Sequence, residues 1–289
     1  MLNILAKYNS VDKKTVTWFQ SIKIIMPGKC KLCECETEKF PKSHIIPDFM
    51  YKSLKNEKSQ ILRLHMPENK ARKPIFTGFY DTELLCQACE ARISKLESYA
   101  EKVLYGSSNI PMPKAFATDD PLLQEVVNID YKTFKLFLLS ILWRAGKSKH
   151  EFFKQVDLGE KHEEALKAML LADDPGEETD YPVALFIPKG PVGKDVGILP
   201  PYKNKNKENA TRYVFIIAEM VYVFHISAHG VDELHLKAAI HKNNTMQVIF
   251  VPTKRSDFYL QLYSVKEEIR KTKAKDPASR LGRLKSGVL

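Results

Sequence analysis

Apolar residues recur with two different periods along the chain, and the period changes near residue 180. The segment "DYKTFKLFLLSILWRAGKS" (130–148) places its apolar residues on a wide helical stripe, which predicts a largely buried helix. The segment "GEKHEEALKAMLLADD" (159–174) has a narrower stripe and predicts an amphipathic helix. Three later runs, "PVALFIP", "RYVFIIAEMVYVFHI" and "MQVIFVP", are rich in β-branched and aromatic residues and predict strands. A last helix is predicted over 256–275.

These patterns, together with the cysteines, divide the chain into five parts. The division predicts an N-terminal extension (1–27), a cysteine-bounded unit (28–105), a linker (106–121), a helical and mixed α+β domain of unknown role (122–275) and a basic tail (276–289). The linker "GSSNIPMPKAFATDDP" is identified by its Gly, Ser and Pro content. The extension looks unlike the rest of the chain, and we expect it to be loosely attached.

The composition is that of a basic protein with enough apolar residues for a core. Hydrophobic residues make up 44% of the chain, and the formal net charge is +10. No run approaches about 18 consecutive apolar residues and the N-terminus lacks a long apolar centre, so we expect a soluble, cytoplasmic protein with no membrane partner. The basic balance favours a nucleic-acid partner, although the lysine-rich segment 202–212 is more typical of a solvated loop.

Four of the five cysteines form two CxxC pairs, Cys30 with Cys33 and Cys86 with Cys89. Two such pairs can complete a closed, tetrahedral structural zinc site, and paired cysteines in a reducing compartment more often bind metal than form disulfides. A redox-active CxxC is the alternative, but neither pair follows a strand typical of thioredoxin-like motifs. Cys35 is the odd residue, predicted to be a free thiol near the site or a replacement for Cys33 as ligand.

The order of motifs around the cysteines is specific. The first pair is followed by "FPKSHIIPDFMYKSL" (40–54), which includes a short strand carrying a histidine, and then by an insertion. "LLCQACE" (84–90) carries the second pair and runs into a helical pattern. This order, with "SHIIP" (43–47), resembles the HNH endonucleases, the zinc-stabilised branch of the ββα-metal nucleases. The resemblance covers residues 28–105, about a quarter of the chain, and implies a zinc-stapled ββα-metal module followed by the α+β domain.

The resemblance also implies a reaction and a set of site residues. His44 would be the general base that takes a proton from water, while a separate Mg²⁺ or Mn²⁺ ion stabilises the phosphate transition state during hydrolysis of DNA. Ser43 stands where the family usually has a metal-binding Asp or His, and Glu90 where it has His or Asn. Further candidates near the ion are the carboxylates of Asp48, Asp81 and Glu97. The implied setting is bacterial defence or a mobile element.

Other interpretations stay open at this point. The substitutions at Ser43 and Glu90 favour a catalytically inactive, zinc-folded module that binds nucleic acid, with DNA preferred to RNA as the partner. A third interpretation is an interaction protein whose basic surface contacts an acidic protein partner, or a homo-oligomer. His44 would then be a buried histidine that satisfies a backbone carbonyl. Asp48 would then cap the start of a short helix.

Overall fold

The computed structural model describes residues 27–55, 77–106, 114–117, 122–189, 198–206, 208–218, 220–227, 229–231 and 233–252. All but the last residue of the predicted N-terminal extension lies outside this part of the chain, as do the predicted helix 256–275 and the basic tail 276–289. Within it the chain is mixed α and β structure, as the sequence predicts.

The first part of the described chain is a small unit of two hairpins and a helix. Its elements are β1 (Gly28–Lys29), β2 (Glu36–Thr37), β3 (Ser43–His44), a 3₁₀ helix (Asp48–Leu54), β4 (Tyr80–Asp81) and α1 (Gln87–Tyr105). β1 pairs with β2, and β3 pairs with β4, in both cases antiparallel. In α1 the residues Ile93, Leu96 and Ala100 recur at helical spacing and are buried. The short strand that carries His44 and the helix after the second cysteine pair are therefore both present.

The rest of the described chain is built around one large sheet. Its elements are β5 (Lys114–Ala117), β6 (Leu123–Val127), α2 (Tyr131–Lys147), a 3₁₀ helix (Glu151–Phe153), α3 (Glu160–Ala172), β7 (Val183–Lys189), β8 (Ile198–Lys205), β9 (Thr211–Ile217), β10 (Met220–His225), α4 (Glu233–Ala238) and β11 (Thr245–Pro252). The seven strands have the order β5-β6-β11-β7-β10-β9-β8. The β11–β7 pair is parallel and the other pairs are antiparallel.

Helix α2 occupies the centre of the fold. The Asp130 side chain accepts a hydrogen bond from the amide of Thr133 at 2.8 Å, which satisfies one of the free donors at the helix start. Buried residues occur on every side of the helix, and Trp143 is inaccessible to solvent. The prediction of a largely buried helix is confirmed.

Two strand assignments differ from the sequence pattern. The apolar run that begins at Arg212 is two strands, β9 and β10, which reverse direction at Ala218 with a left-handed φ of 56°. The lysine-rich segment 202–212, predicted as a loop, is partly strand, because β8 ends at Lys205 and β9 begins at Thr211. Among the described strands β8 is at the edge of the sheet, where proline and lysine are tolerated because one side of the strand makes no ladder hydrogen bonds to a described strand.

One hydrophobic core runs through both predicted units. It contains Leu32 and Leu85 from the cysteine-bounded unit and Phe134 and Trp143 from α2. Phe79, next to β4, stacks on Phe152 with ring centroids 4.0 Å apart. Part of the predicted linker, residues 114–117, forms β5 and pairs with β6 at the edge of the sheet. The boundary between the units stays a prediction.

A membrane-spanning helix needs about 20 consecutive, mostly apolar residues, and the helices of the described residues differ from this. None of them is both long enough and apolar enough to cross a membrane.

Candidate metal centre and active site

The two cysteine pairs meet at one point. The ligand atoms of Cys30, Cys33, Cys86 and Cys89 all lie within 4.8 Å of one another. The Sγ atoms of Cys33 and Cys86 are 3.7 Å apart. Four sulfurs at about 2.3 Å from a central zinc ion would be separated by about 3.8 Å, the edge of a tetrahedron. The four-cysteine group therefore has the donors and the spacing to hold a metal ion such as zinc.

Backbone hydrogen bonds shape the first cysteine pair and connect it to the second. The amide of Glu34 donates to the carbonyl of Cys30 at 2.9 Å, and Glu34 adopts a left-handed φ of 60° that closes the turn. The amide of Lys31 donates to the carbonyl of Leu84 at 2.9 Å. The amide of Cys86 donates to Sγ of Cys30 at 3.3 Å. The main chain thus brings the pairs together and directs a donor at a sulfur.

The thiols of the four-cysteine group differ in the direction of their pKa shifts. Burial opposes ionisation of Cys30, but hydrogen bonds from backbone groups of Cys33, Cys86 and Leu32 outweigh it and lower the pKa of Cys30 to about 7. Burial raises the pKa of Cys86 and of Cys89. A bound cation reverses this penalty, because a coordinating thiol loses its proton to the metal's field. The fifth cysteine, Cys35, is exposed and is not a member of the four-cysteine group.

His44 lies in β3, between the two cysteine pairs in sequence and opposite Tyr80 in the hairpin. Its side chain is half-buried, and its Nε2 atom is buried with no hydrogen-bond partner among the described residues. Burial lowers the pKa of His44, the nearby charges of Arg144 and Lys55 lower it further, and those of Asp48 and Glu97 oppose the shift. The imidazole is therefore neutral at pH 7, which is the state that a general base requires.

Ser43 and Glu90 are in direct contact. Ser43 is fully buried, and its hydroxyl donates to Oε2 of Glu90 at 2.6 Å. Glu90 lies in the first turn of α1, where the helix dipole favours a negative charge. Burial nevertheless raises the pKa of Glu90, against the lowering effect of the Ser43 hydrogen bond and the Arg144 charge. The structure thus brings together two of the predicted site residues from a strand and a helix.

This pair offers two oxygen donors to a divalent ion. Neighbouring ligands of an octahedral Mg²⁺ at about 2.0–2.1 Å are separated by about 2.9 Å, whereas the Ser43 and Glu90 oxygens are 2.6 Å apart because the hydroxyl donates directly to the carboxylate. Magnesium often binds through one or two carboxylates and completes its shell with water and substrate phosphate. Beyond the cysteines, the described residues contain no group of three or more His, Cys, Asp or Glu ligands. The Ser43–Glu90 pair therefore belongs to no larger ligand group among the described residues, and a catalytic ion at this pair stays a prediction.

The other carboxylates predicted near the ion have partners of their own. Asp48 accepts hydrogen bonds from Nζ of Lys55 at 2.7 and 2.9 Å. It lies inside the 3₁₀ helix, where Pro47 is the N-cap residue. Asp81 accepts from the amide of Glu83 at 2.9 Å. A role for these carboxylates as ion ligands stays a prediction, as it does for Glu97, which pairs with Arg144.

Arg144 is a site residue that sequence reasoning did not identify. It belongs to α2, is completely buried, and donates through Nη1 to the main-chain oxygen of His44 and to Oε1 of Glu97, the latter at 2.6 Å. The sequence signal is a single arginine in the apolar segment "LLSILWRAG". Such a buried cation needs a partner, but the sequence does not say which one.

Several lysines in the segment that precedes His44 are exposed. Four of them form no ion pair with the described residues, namely Lys29, Lys31, Lys39 and Lys42. Lys42 directly precedes β3, and its Nζ lies 5.0 Å from the centroid of the Tyr80 ring. The same segment carries three carboxylates, Glu34, Glu36 and Glu38, and Lys29 lies opposite Glu36 in the hairpin, so four lysines against three carboxylates leave residues 27–42 with a net charge of +1.

Comparison with known proteins gives no match: no protein-family model, curated protein or solved structure is similar to the chain. The resemblance to the HNH endonucleases therefore rests on the cysteine spacing and the "SHIIP" and "LLCQACE" segments alone. Any function for the chain has to be argued from the site itself.

Proposed function

We propose that the chain is a metal-dependent, HNH-type endonuclease that hydrolyses phosphodiester bonds in DNA. The observation that carries the proposal is the contact of Ser43 in β3 with Glu90 in α1, with His44 following Ser43 in the same strand and the four-cysteine group in the same unit. A closed four-thiolate metal has no open position for a substrate, so its role is to hold the unit together. Catalysis is then the task of the residues on the hairpin and the helix.

His44 supplies the proton acceptor. Its pKa is lowered by burial, so the imidazole is neutral and takes the proton of a water molecule as the water oxygen attacks phosphorus. The phosphorus–oxygen bond to the leaving nucleotide breaks, and that oxygen leaves with its electron pair and then accepts a proton from solvent. Glu90 and Ser43 would hold the divalent ion, which when bound stabilises the negative charge that develops on the phosphate.

The positive charge of the chain is the reason for proposing DNA as the substrate. The net charge of +10 and the four exposed lysines without an ion pair, Lys29, Lys31, Lys39 and Lys42, suit a polyanion. Lys42 lies one residue before Ser43 and two before His44. Because alternate residues of an extended chain share a face, a phosphate bound by Lys42 would approach His44.

Nicking of supercoiled plasmid tests the proposal. Wild-type protein should nick the plasmid with Mg²⁺ or Mn²⁺ and not with chelator, and Glu90→Gln should lower the rate by about tenfold or more, because loss of even an outer partner of a metal site typically has such an effect. Glu101→Gln is the matched control, since Glu101 lies on the same helix and pairs with Lys52. Equal rates for the two variants would contradict a role for Glu90, and a wild-type protein inert with every metal would contradict the nuclease.

A second candidate is a zinc-folded module that binds nucleic acid without cleaving it. Two observations favour it: Ser43 and Glu90 satisfy each other directly, and Nε2 of His44 is buried. A site of this kind can remain folded and electropositive without a catalytic ion. Its affinity would come from lysine and arginine side chains that bind phosphates.

Both candidates predict that the four lysines bind nucleic acid. Changing Lys29, Lys31, Lys39 and Lys42 together to Gln should weaken binding to a DNA duplex and reduce the slope of log affinity against log salt by up to about 0.9 for each phosphate that the variant no longer neutralises. Lys95→Gln and Lys161→Gln are controls, because both lysines are exposed and lie on helices, α1 and α3, outside the segment 29–42 that carries the four lysines. Fluorescence anisotropy across a salt series measures the slope. An unchanged slope in the four-site variant would exclude these lysines from the interface.

A further inference from the structure

Strand β3, which carries His44, is held weakly by its own hairpin. In the described part of the chain it pairs with β4 alone, and each strand has two residues. The amide of Ile45 donates to the carbonyl of Phe79 at 2.8 Å, so Ile45 and Phe79 form a hydrogen-bonded pair. His44 and Tyr80 then form a non-hydrogen-bonded pair, in which the main-chain groups of His44 point away from β4. The hairpin alone leaves the carbonyl of His44 without a partner.

Arg144 supplies that partner from another element. Its Nη1 donates to the carbonyl of His44, and the same nitrogen donates to Glu97 of α1. Its Nε and Nη2 are fixed on its own helix by the carbonyl and the hydroxyl of Ser140, at 3.2 and 3.3 Å. One rigid guanidinium therefore connects β3, α1 and α2.

We propose that Arg144 is a positioning residue for His44: it fixes the open edge of β3, so that helix α2 sets where the imidazole lies. This inference rests on the proposed function of His44. The proposal also assigns a role in the reaction to the α+β region (122–275), because Arg144 belongs to that region and lies outside the segment that resembles the HNH endonucleases. The base is then held in place only when α2 is packed against the cysteine-bounded unit.

The chain offers a conservative variant and a matched control. Arg144→Lys keeps the positive charge beside Glu97, but a lysine cannot direct planar, forked donors at His44 and Ser140 together. Arg92 of α1 provides the control, because it also connects the two predicted units, donating to the carbonyls of Leu170 and Leu171 at 3.1 and 2.6 Å. Arg92→Lys therefore disturbs a comparable link away from His44.

Two measurements on the full chain test the proposal. In plasmid nicking, Arg144→Lys should lower kcat about tenfold or more, since small misplacement of a catalytic group has effects of up to about 10²-fold, while KM and zinc content stay at the values of wild type. In amide hydrogen exchange, the Ile45 amide should exchange at least about ten times faster. Arg92→Lys should change neither quantity.

The exchange measurement separates this proposal from the proposed function. If wild-type protein cleaves no substrate, the nuclease is wrong, and Ile45 exchange alone decides whether Arg144 holds β3. Unchanged Ile45 protection in Arg144→Lys would overturn the inference, as would equal loss of kcat in both arginine variants. If Arg144→Lys does not fold, the double variant Arg144→Met/Glu97→Gln removes the buried pair together, and retained Ile45 protection in that protein would also overturn it.

Discussion

Removal of zinc is expected to unfold the cysteine-bounded unit (28–105) and to lower the melting temperature of the whole chain. The apparent coupling energy of a structural zinc site is about 10–16 kcal/mol, which equals or exceeds the total stability of about 5–15 kcal/mol of a typical folded protein. β1 to β4 are two residues each and supply few hydrogen bonds of their own. Leu32 and Leu85 belong to the shared core, and Phe49 of the same unit packs on Phe137 of α2 with ring centroids 5.9 Å apart, so unfolding of the unit exposes apolar surface on α2 as well.

A single cysteine substitution should reproduce the effect of a chelator. Cys86→Ser removes one of the four thiolates and should abolish tight zinc binding, with a large fall in melting temperature measured by circular dichroism. Cys35→Ser is the matched control, because Cys35 is exposed and lies outside the four-cysteine group. It should retain about one zinc per chain and the wild-type melting temperature. Equal zinc content in the two variants would show that the four-cysteine group is not the metal site.

The sequence predicts those features that depend on local spacing. Two CxxC pairs specify a four-sulfur group wherever the chain brings them together, and the group is present in the structure. The apolar residues of 130–148 recur at helical spacing and predict α2. The stripe is wide, so most of the surface of this helix has to be buried, as it is in the structure. Both predictions need only the identity of the residues and their separation along the chain.

Features that depend on partners far apart in sequence cannot be predicted in the same way. The run from Arg212 to Ile226 contains no Gly, Asn or Pro, so nothing in it signals the reversal at Ala218. Composition predicts a linker over 106–121, yet strand pairing with β6 recruits part of it into the sheet. The spacing of apolar residues shows that a helix or strand has an apolar face. It does not show which other segment packs against that face, because tertiary contacts decide this.

In the candidate site, too, residue identities can be predicted from the sequence, whereas contacts between distant residues cannot. The sequence predicts His44 and Glu90 as site residues, but the hydrogen bond of Glu90 to Ser43 depends on how β3 meets α1. Glu97 is predicted as an ion ligand on the basis of its carboxylate alone. The structure pairs it with Arg144, 47 residues further along the chain, and no spacing rule links two such positions.

Replacement of His44 by Ala is expected to lower metal-dependent cleavage of DNA by about 10²- to 10⁴-fold, the usual contribution of a general base. The four thiolates are untouched, so zinc content should stay at about one ion per chain and the fold should persist. DNA affinity should also persist, because lysine and arginine side chains bind the phosphates. The measurements are single-turnover nicking of supercoiled plasmid, metal analysis and duplex binding by anisotropy.

The pH dependence and a second histidine make this test specific. Because burial lowers the pKa of His44 below 6.5, the neutral, active form increases as pH rises, and wild-type nicking should reach half its maximum below pH 6.5 and level off above it. His150→Asn is the control: the His150 ring packs on Phe79, and Asn can replace its Nδ1 as the hydrogen-bond acceptor for the amide of Phe152. That variant should cleave at the wild-type rate with the same pH profile. Cleavage by His44→Ala at the rate of His150→Asn would exclude His44 as the base and favour the module that binds nucleic acid without cutting it.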